Sequence, residues 1–278
     1  MSFPWHFVSV STEEQQQRRE LLDLRGYYAQ ISVVLAILSI RLYNLQSKPT
    51  VSRSWWDAPP FPGWRESRRQ YLVCLLWLGW LVGLSAWNTG DDYLHLTKAL
   101  GHIALSQLPV QALMSPALYT EASKAASPSL MAVLTGLSQP SITPIHRLFG
   151  RIVIAPLLIT HAALYLNFFS QSAHPEFGTL LAKRLLDEDV QWGIAALTMV
   201  VAVLIFVRPV GVPARWWLRF SPAWSVQTRR EVFYTVHVLL VGLLCAAAYC
   251  HVEQAKGFVL QTLGCSVVNY VCCSVLAR

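Results

Sequence analysis

Apolar segments long enough to cross a bilayer recur along most of this chain. They run at about 27–44, 71–88, 96–115, 146–168, 190–207, 231–251 and 256–276, each close to the roughly 20 apolar residues that cover the hydrocarbon core as a helix. Composition agrees: 54% of the residues are hydrophobic and 13% charged, where a soluble domain carries about a quarter charged residues. The expected fold is therefore an all-α integral membrane protein, a bundle of about seven transmembrane helices in contact with lipid. Eleven tryptophans and ten tyrosines suit anchoring at the headgroups. The formal charge of +7 is not read as nucleic-acid binding, because in a membrane protein the placement of charge matters more than its sum. Residues 1–26 form a polar N-terminal tail with a short helix, and 27–278 the membrane domain.

Within two of these runs lie ionisable side chains that lipid disfavours. His146 and His161 flank one apolar stretch, and His237 and His251 another. Intramembrane polar groups are costly and point to function. An α-helix turns about 100° and rises about 1.5 Å per residue. Fourteen residues from His237 to His251 give a net turn of about −40° and a rise of roughly 21 Å. Fifteen from His146 to His161 give about +60° and roughly 22 Å. Each pair thus stays on one helix face, and two such helices side by side supply two histidine pairs at two depths. Neutral imidazole is a good iron ligand, so the pattern is that of two stacked haems, each held from both sides. The spacings differ by one residue. Pro156 lies between His146 and His161, and a one-residue bulge near it brings the spacings into line. The alternative is four satisfied core histidines in a haem-free structural or transport protein.

The run His146-Arg147-Leu148-Phe149-Gly150-Arg151, followed by a helix and His161, resembles the ferric reductase transmembrane domain shared with the NADPH oxidases. So do residues 95–113 with their Leu-Pro run, the Leu134-Thr135-Gly136-Leu137-Ser138 stretch, and Arg230-Glu231-Val232-Phe233-Tyr234 before His237. The resemblance covers roughly residues 70–278. It implies two b-type haems ligated by His146 with His237 and by His161 with His251, and a ferric or cupric chelate as acceptor, or oxygen in the oxidase branch. It also implies a cytosolic module binding FAD and NADPH. This sequence carries no Gly-x-Gly-x-x-Gly after a strand and no polar α/β region. The expectation is therefore a chain lacking that domain: a truncated or naturally short haem-only form, or an accessory oxidoreductase, for example in a fungal biosynthetic pathway, fed by a separate flavoprotein.

Seven spans put the termini on opposite sides. The loops after spans one, three and five, with the span ends beside them and Arg278, hold 15 of the 22 basic residues. The positive-inside rule then expects the N-terminus outside and the C-terminus in the cytosol, in the plasma membrane or an internal one. His146 and His237 lie toward the cytosol on this reading. Arg147 and Arg151, one turn apart, either pair with haem propionates or anchor the helix. Gly150 either lets a flat macrocycle approach the backbone or serves helix packing. His95 and His102 suggest a third site, or else an interfacial residue and a hydrogen bond inside the bundle. His174, Glu176 and Asp187–Asp189 either attract metal or form a solvated loop. The six cysteines show no Cys-x-x-Cys spacing and read as buried thiols.

Overall fold

The computed structural model describes residues 8, 11–46, 55–116, 128–206 and 226–276. Helix α1 (Thr12–Gln46) is followed by a 3-10 turn (Trp55–Asp57), α2 (Arg68–Ala86), α3 (Tyr93–Ser106), α4 (Leu108–Leu113), α5 (Leu130–Thr135) and α6 (Gln139–Leu148). A π-helical turn (Phe149–Ile154) joins α6 to α7 (Ala155–Gln171). A two-stranded hairpin, β1 (Ala173–His174) and β2 (Gly178–Thr179), leads to α8 (Leu180–Arg184). Then come α9 (Glu188–Phe206), α10 (Val226–His251) and α11 (Glu253–Leu276).

Among the described residues six helical stretches are long and apolar enough to cross a membrane: Thr12–Gln46, Arg68–Ala86, Gln139–Gln171, Glu188–Phe206, Glu231–His251 and Glu253–Leu276. They expose large apolar side chains, such as Ile31, Val34, Leu35 and Leu38 on α1 and Val267, Val268, Val271 and Val275 on α11. Outward apolar faces of this extent are what lipid contact requires.

The span expected at 96–115 differs. It consists of α3 and α4, and neither qualifies alone as a crossing helix. The reason is position. On α3, Tyr93, residues 95–97 and residues 99–106 are all buried, so protein encloses this helix except near Leu94 and Lys98, and it need not be apolar throughout. It carries the buried polar residues His95, Thr97, His102 and Ser106. The helix breaks at Gln107, where Pro109 supplies no N–H for the ladder. Gln107 is itself fully buried and accepts a hydrogen bond from Trp77 Nε1 at 3.0 Å.

Two further expectations are corrected. From Thr12 onward the polar N-terminal segment is no tail: α1 is one helix of 35 residues. Its first half docks on α3 through an Arg18–Asp92 ion pair and the buried Arg25. The stretch 116–145, read as a loop, contains α5 and the start of α6, with residues 117–127 outside the described ones. Ser129 caps α5, Gly136 ends it at φ 72°, and Pro140 sits in the first turn of α6. These are ordinary helix boundary signals. The basic loop expected at 208–230 lies largely outside the described residues.

Lipid is as apolar as leucine, so the helices are held by close packing and by hydrogen bonds between polar side chains. Gln30 Nε2 donates to Gln261 Oε1 at 2.6 Å. Asn269 accepts from Leu130 N at 2.7 Å and donates to Ser115 O at 2.8 Å. Each such link contributes roughly 0.6 kcal/mol, up to about 1.7.

Candidate functional site

The π turn stands between His146 and His161. The N–H of Ala155 bonds to the carbonyl of Gly150, five residues back, so this turn absorbs one residue more than an α turn. Pro156 follows at once and has no N–H to offer the carbonyl four residues earlier. The 15-residue spacing therefore acts as 14 in α-helical register, and His146 and His161 emerge on one face as His237 and His251 do on α10. The expected bulge is present, one turn ahead of the proline.

The four histidines come together as two pairs. The rings of His161 and His251 have centroids 6.4 Å apart at 69°. His146 and His237 are close enough to interact electrostatically. All four are half-buried. Between the two levels lies an apolar layer of Ala155 and Leu158 on the π–α7 helix, Leu244 on α10 and Val200 on α9.

Three of the rings are held the same way. His161 Nδ1 lies 2.7 Å from Thr97 O, His146 Nδ1 lies 3.1 Å from Gln111 O, and His251 Nδ1 bonds to Asp189 O. A carbonyl oxygen can only accept, so each Nδ1 carries the proton and each Nε2 keeps its lone pair. That is the tautomer of a metal-ligating imidazole with its other nitrogen held by a carbonyl. His237 is packed instead against the Phe233 ring, 5.5 Å away and nearly parallel.

At the His161/His251 level the two arms share one local device. Four residues after Thr97 comes Gly101, and four after Asp189 comes Gly193. A Cβ on Gly101 would sit 3.0 Å from the His161 ring, and one on Gly193 would sit 2.8 Å from the His251 ring. Glycine thus lets an imidazole lie flat on a neighbouring helix and reach the carbonyl one turn earlier. The central segment α3–α4 supplies the carbonyls for both His146 and His161, at positions 111 and 97. Sequence reading missed Thr97, Gln111, Asp189, Gly101 and Gly193. The available signal was a glycine within each helix that faces a histidine-bearing one.

The remaining predicted residues are placed as follows. Gly150 faces Gln111: a Cβ there would meet Gln111 Nε2 at 3.1 Å, and the same nitrogen donates to His146 O at 2.8 Å. Arg147 pairs with Glu66, Nη2 to Oε1 at 3.3 Å. Glu66 is buried, also accepts from the Tyr71 hydroxyl at 3.4 Å, and lies within electrostatic reach of Arg151. This buried carboxylate was not anticipated. His95 Nε2 accepts from Arg25 at 3.0 Å, and His102 Nε2 lies 3.0 Å from Asp23. Each has its own partner, and they build no shared site. His174 Nδ1 accepts from the Glu176 and Phe177 amides, and Asp187 and Asp189 are engaged by Arg184. The acidic cluster is thus occupied within its own loop.

Among the described residues no group of three or more His, Cys, Asp or Glu side chains is arranged to hold a metal ion. Two facing imidazoles are too few for a bare ion, which takes four or more ligands. They are the right number for an iron whose other four positions are filled by a macrocycle.

A family model described as ferric reductase like transmembrane component matches residues 100–248. The match contains His102, His146, His161 and His237 and stops three residues before His251. No curated protein and no solved structure matches the chain.

Proposed function

From the premise that this chain belongs to the ferric reductase-like transmembrane family, we propose that it is a two-haem electron conduit across a membrane. His146 with His237 hold one haem b, and His161 with His251 the other. Haem ligated from both sides has no open iron position, so it passes single electrons and binds no substrate at the metal. The chain's own part is to hold and insulate. The carbonyls of Gln111, Thr97 and Asp189 fix three imidazoles as Nε2 ligands. The layer of Ala155, Leu158, Val200 and Leu244 keeps the space between the levels dry. Arg147 and Arg151 add positive charge beside the His146/His237 pair for haem carboxylates, with Glu66 balancing part of it.

Direction follows from charge. The His146/His237 end carries Arg41, Arg65, Arg68, Arg69, Arg147 and Arg151 and belongs to the side whose loops and span ends hold 15 of the 22 basic residues, which the positive-inside rule assigns to the cytosol. Electrons then enter there from a module binding FAD and NADPH. They leave at the His161/His251 end, to a ferric or cupric chelate outside the plasma membrane. In this reading the electron donor is a flavoprotein module on the cytosolic side.

The observation that carries this reading is the repeated imidazole-to-carbonyl bond at two depths. The test is a reduced-minus-oxidised absorbance spectrum of the purified protein with a haem count. A b-type signal with about two haems per chain is expected. A protein free of haem would overturn the proposal.

A further inference from the structure

We propose that Arg184 is a positioning residue for the His161/His251 pair, one guanidinium joining the two helices that carry and hold those ligands. The inference rests on the two-haem reading above.

Arg184 ends α8, a short helix set by the β1–β2 hairpin. Leu180 N bonds to Ser172 O at 2.7 Å, and Thr179 Oγ1 caps α8 by accepting from Ala182 N at 3.2 Å. The guanidinium then reaches in three directions. Its Nε donates to the Tyr165 hydroxyl at 2.9 Å, Nη2 donates to Asp189 Oδ2 at 2.9 Å, and Nη1 pairs with Asp187. Its centre also lies 5.9 Å from the Phe169 ring. Tyr165 is four residues beyond His161 on α7, one turn along the same face. Asp189 is the residue whose carbonyl accepts the His251 Nδ1 proton. Tyr165 therefore marks the His161 arm and Asp189 the His251 arm, and Arg184 ties the two together.

A surface ion pair between flexible chains contributes little. The planar guanidinium fork bonds several partners at once in fixed geometry, so its consequence is orientation. Arg184 also offsets the charge of two carboxylates beside His251. Without it, Asp187 and Asp189 are uncompensated and favour the oxidised, more positive state of a nearby iron.

The experiment compares wild type, Arg184→Gln and Arg184→Lys, each purified from membranes with its haem. The readouts are low-spin electron paramagnetic resonance and a redox titration that resolves the two haems. In R184Q both haems are retained. One resonance changes and the midpoint potential of that haem moves negative, while the other haem is unchanged. R184K keeps the charge but loses the fork, so it alters the same resonance with a smaller shift of potential. Asp189→Asn, which keeps the backbone carbonyl, changes that resonance too and decides the matter should R184Q not accumulate. An R184Q protein with both resonances and both potentials unchanged, or with both haems altered alike, overturns the role of Arg184 alone. A wild-type protein without haem overturns the two-haem reading and this inference with it.

Discussion

At the residue scale, the site depends on what stands behind each imidazole. His161→Ala and His251→Ala should each remove one haem and leave the other, because the pairs lie at separate depths with an apolar layer between them. A haem count of one per chain is the expected result, and two would show that the ligands are wrongly assigned. Gly101→Val is a sharper probe, since it leaves all four proposed ligands in the sequence. Its new side chain would press on the His161 ring, where even a Cβ comes within 3.0 Å. Overpacking of this kind costs about 1–3 kcal/mol, which the ring avoids by leaving Thr97 O. The expected outcome is weakened or lost haem at that level with the His146/His237 haem intact, read from the spectrum and the haem count. Valine at Gly242, where a Cβ meets nothing within 4 Å, is the control and should keep both.

At the element scale, the helix of His146 and His161 holds one residue more than α-helical register needs, and the π turn stores it. Deleting Ile152 should return residues 149–154 to α geometry, keep both histidines on one face and preserve both haems. A one-residue change has the opposite effect on α10, where the 14-residue spacing is already in register. One alanine inserted after Gly242 rotates His251 by about 100° and should cost the protein that haem. Haem content of the two variants, measured side by side, checks the pair. A deletion that loses a haem would mean that the π turn places the ligands itself and is not merely a store for an extra residue. The element that organises both levels is the buried α3–α4 segment, whose carbonyls meet His161 and His146.

At the scale of the whole molecule, the two ends differ. One belongs to the side with 15 of the 22 basic residues, among them Arg41, Arg65, Arg68, Arg69, Arg147 and Arg151, and the other holds the β1–β2 hairpin with Arg184, Asp187 and Asp189. The proposed direction of electron flow requires the basic end to face the cytosol. Single cysteines introduced as Arg65→Cys and Leu186→Cys in a background without exposed native thiols should report this. A membrane-impermeant maleimide added to intact cells should label position 186 and spare 65 until the membrane is permeabilised. The reverse pattern would invert the direction of transfer without altering the site.

How much of this was legible follows from which signals are local. The apolar runs, the histidines at 14 and 15 residues and a bulge near Pro156 all depend on period and rise along one helix, and the sequence by itself determined them. The pairing of His146 with His237 and of His161 with His251 came from the shared direction of the two spans and from the family resemblance. Helices α5 and α6 had readable caps in Ser129, Gly136 and Pro140, but they lay in a stretch whose serines and prolines also suit a loop. Only the tertiary structure decided the rest. Every residue has a carbonyl, so nothing in the chain distinguishes those of Thr97, Gln111 and Asp189 until packing brings an imidazole to them. Likewise Glu66 meets Arg147, and Arg184 meets Tyr165 and Asp189, only once separate helices are assembled. Long apolar segments must become helices in lipid, because each helix satisfies its own backbone. Which polar group completes which histidine is a matter between helices, and a one-dimensional period carries no record of it.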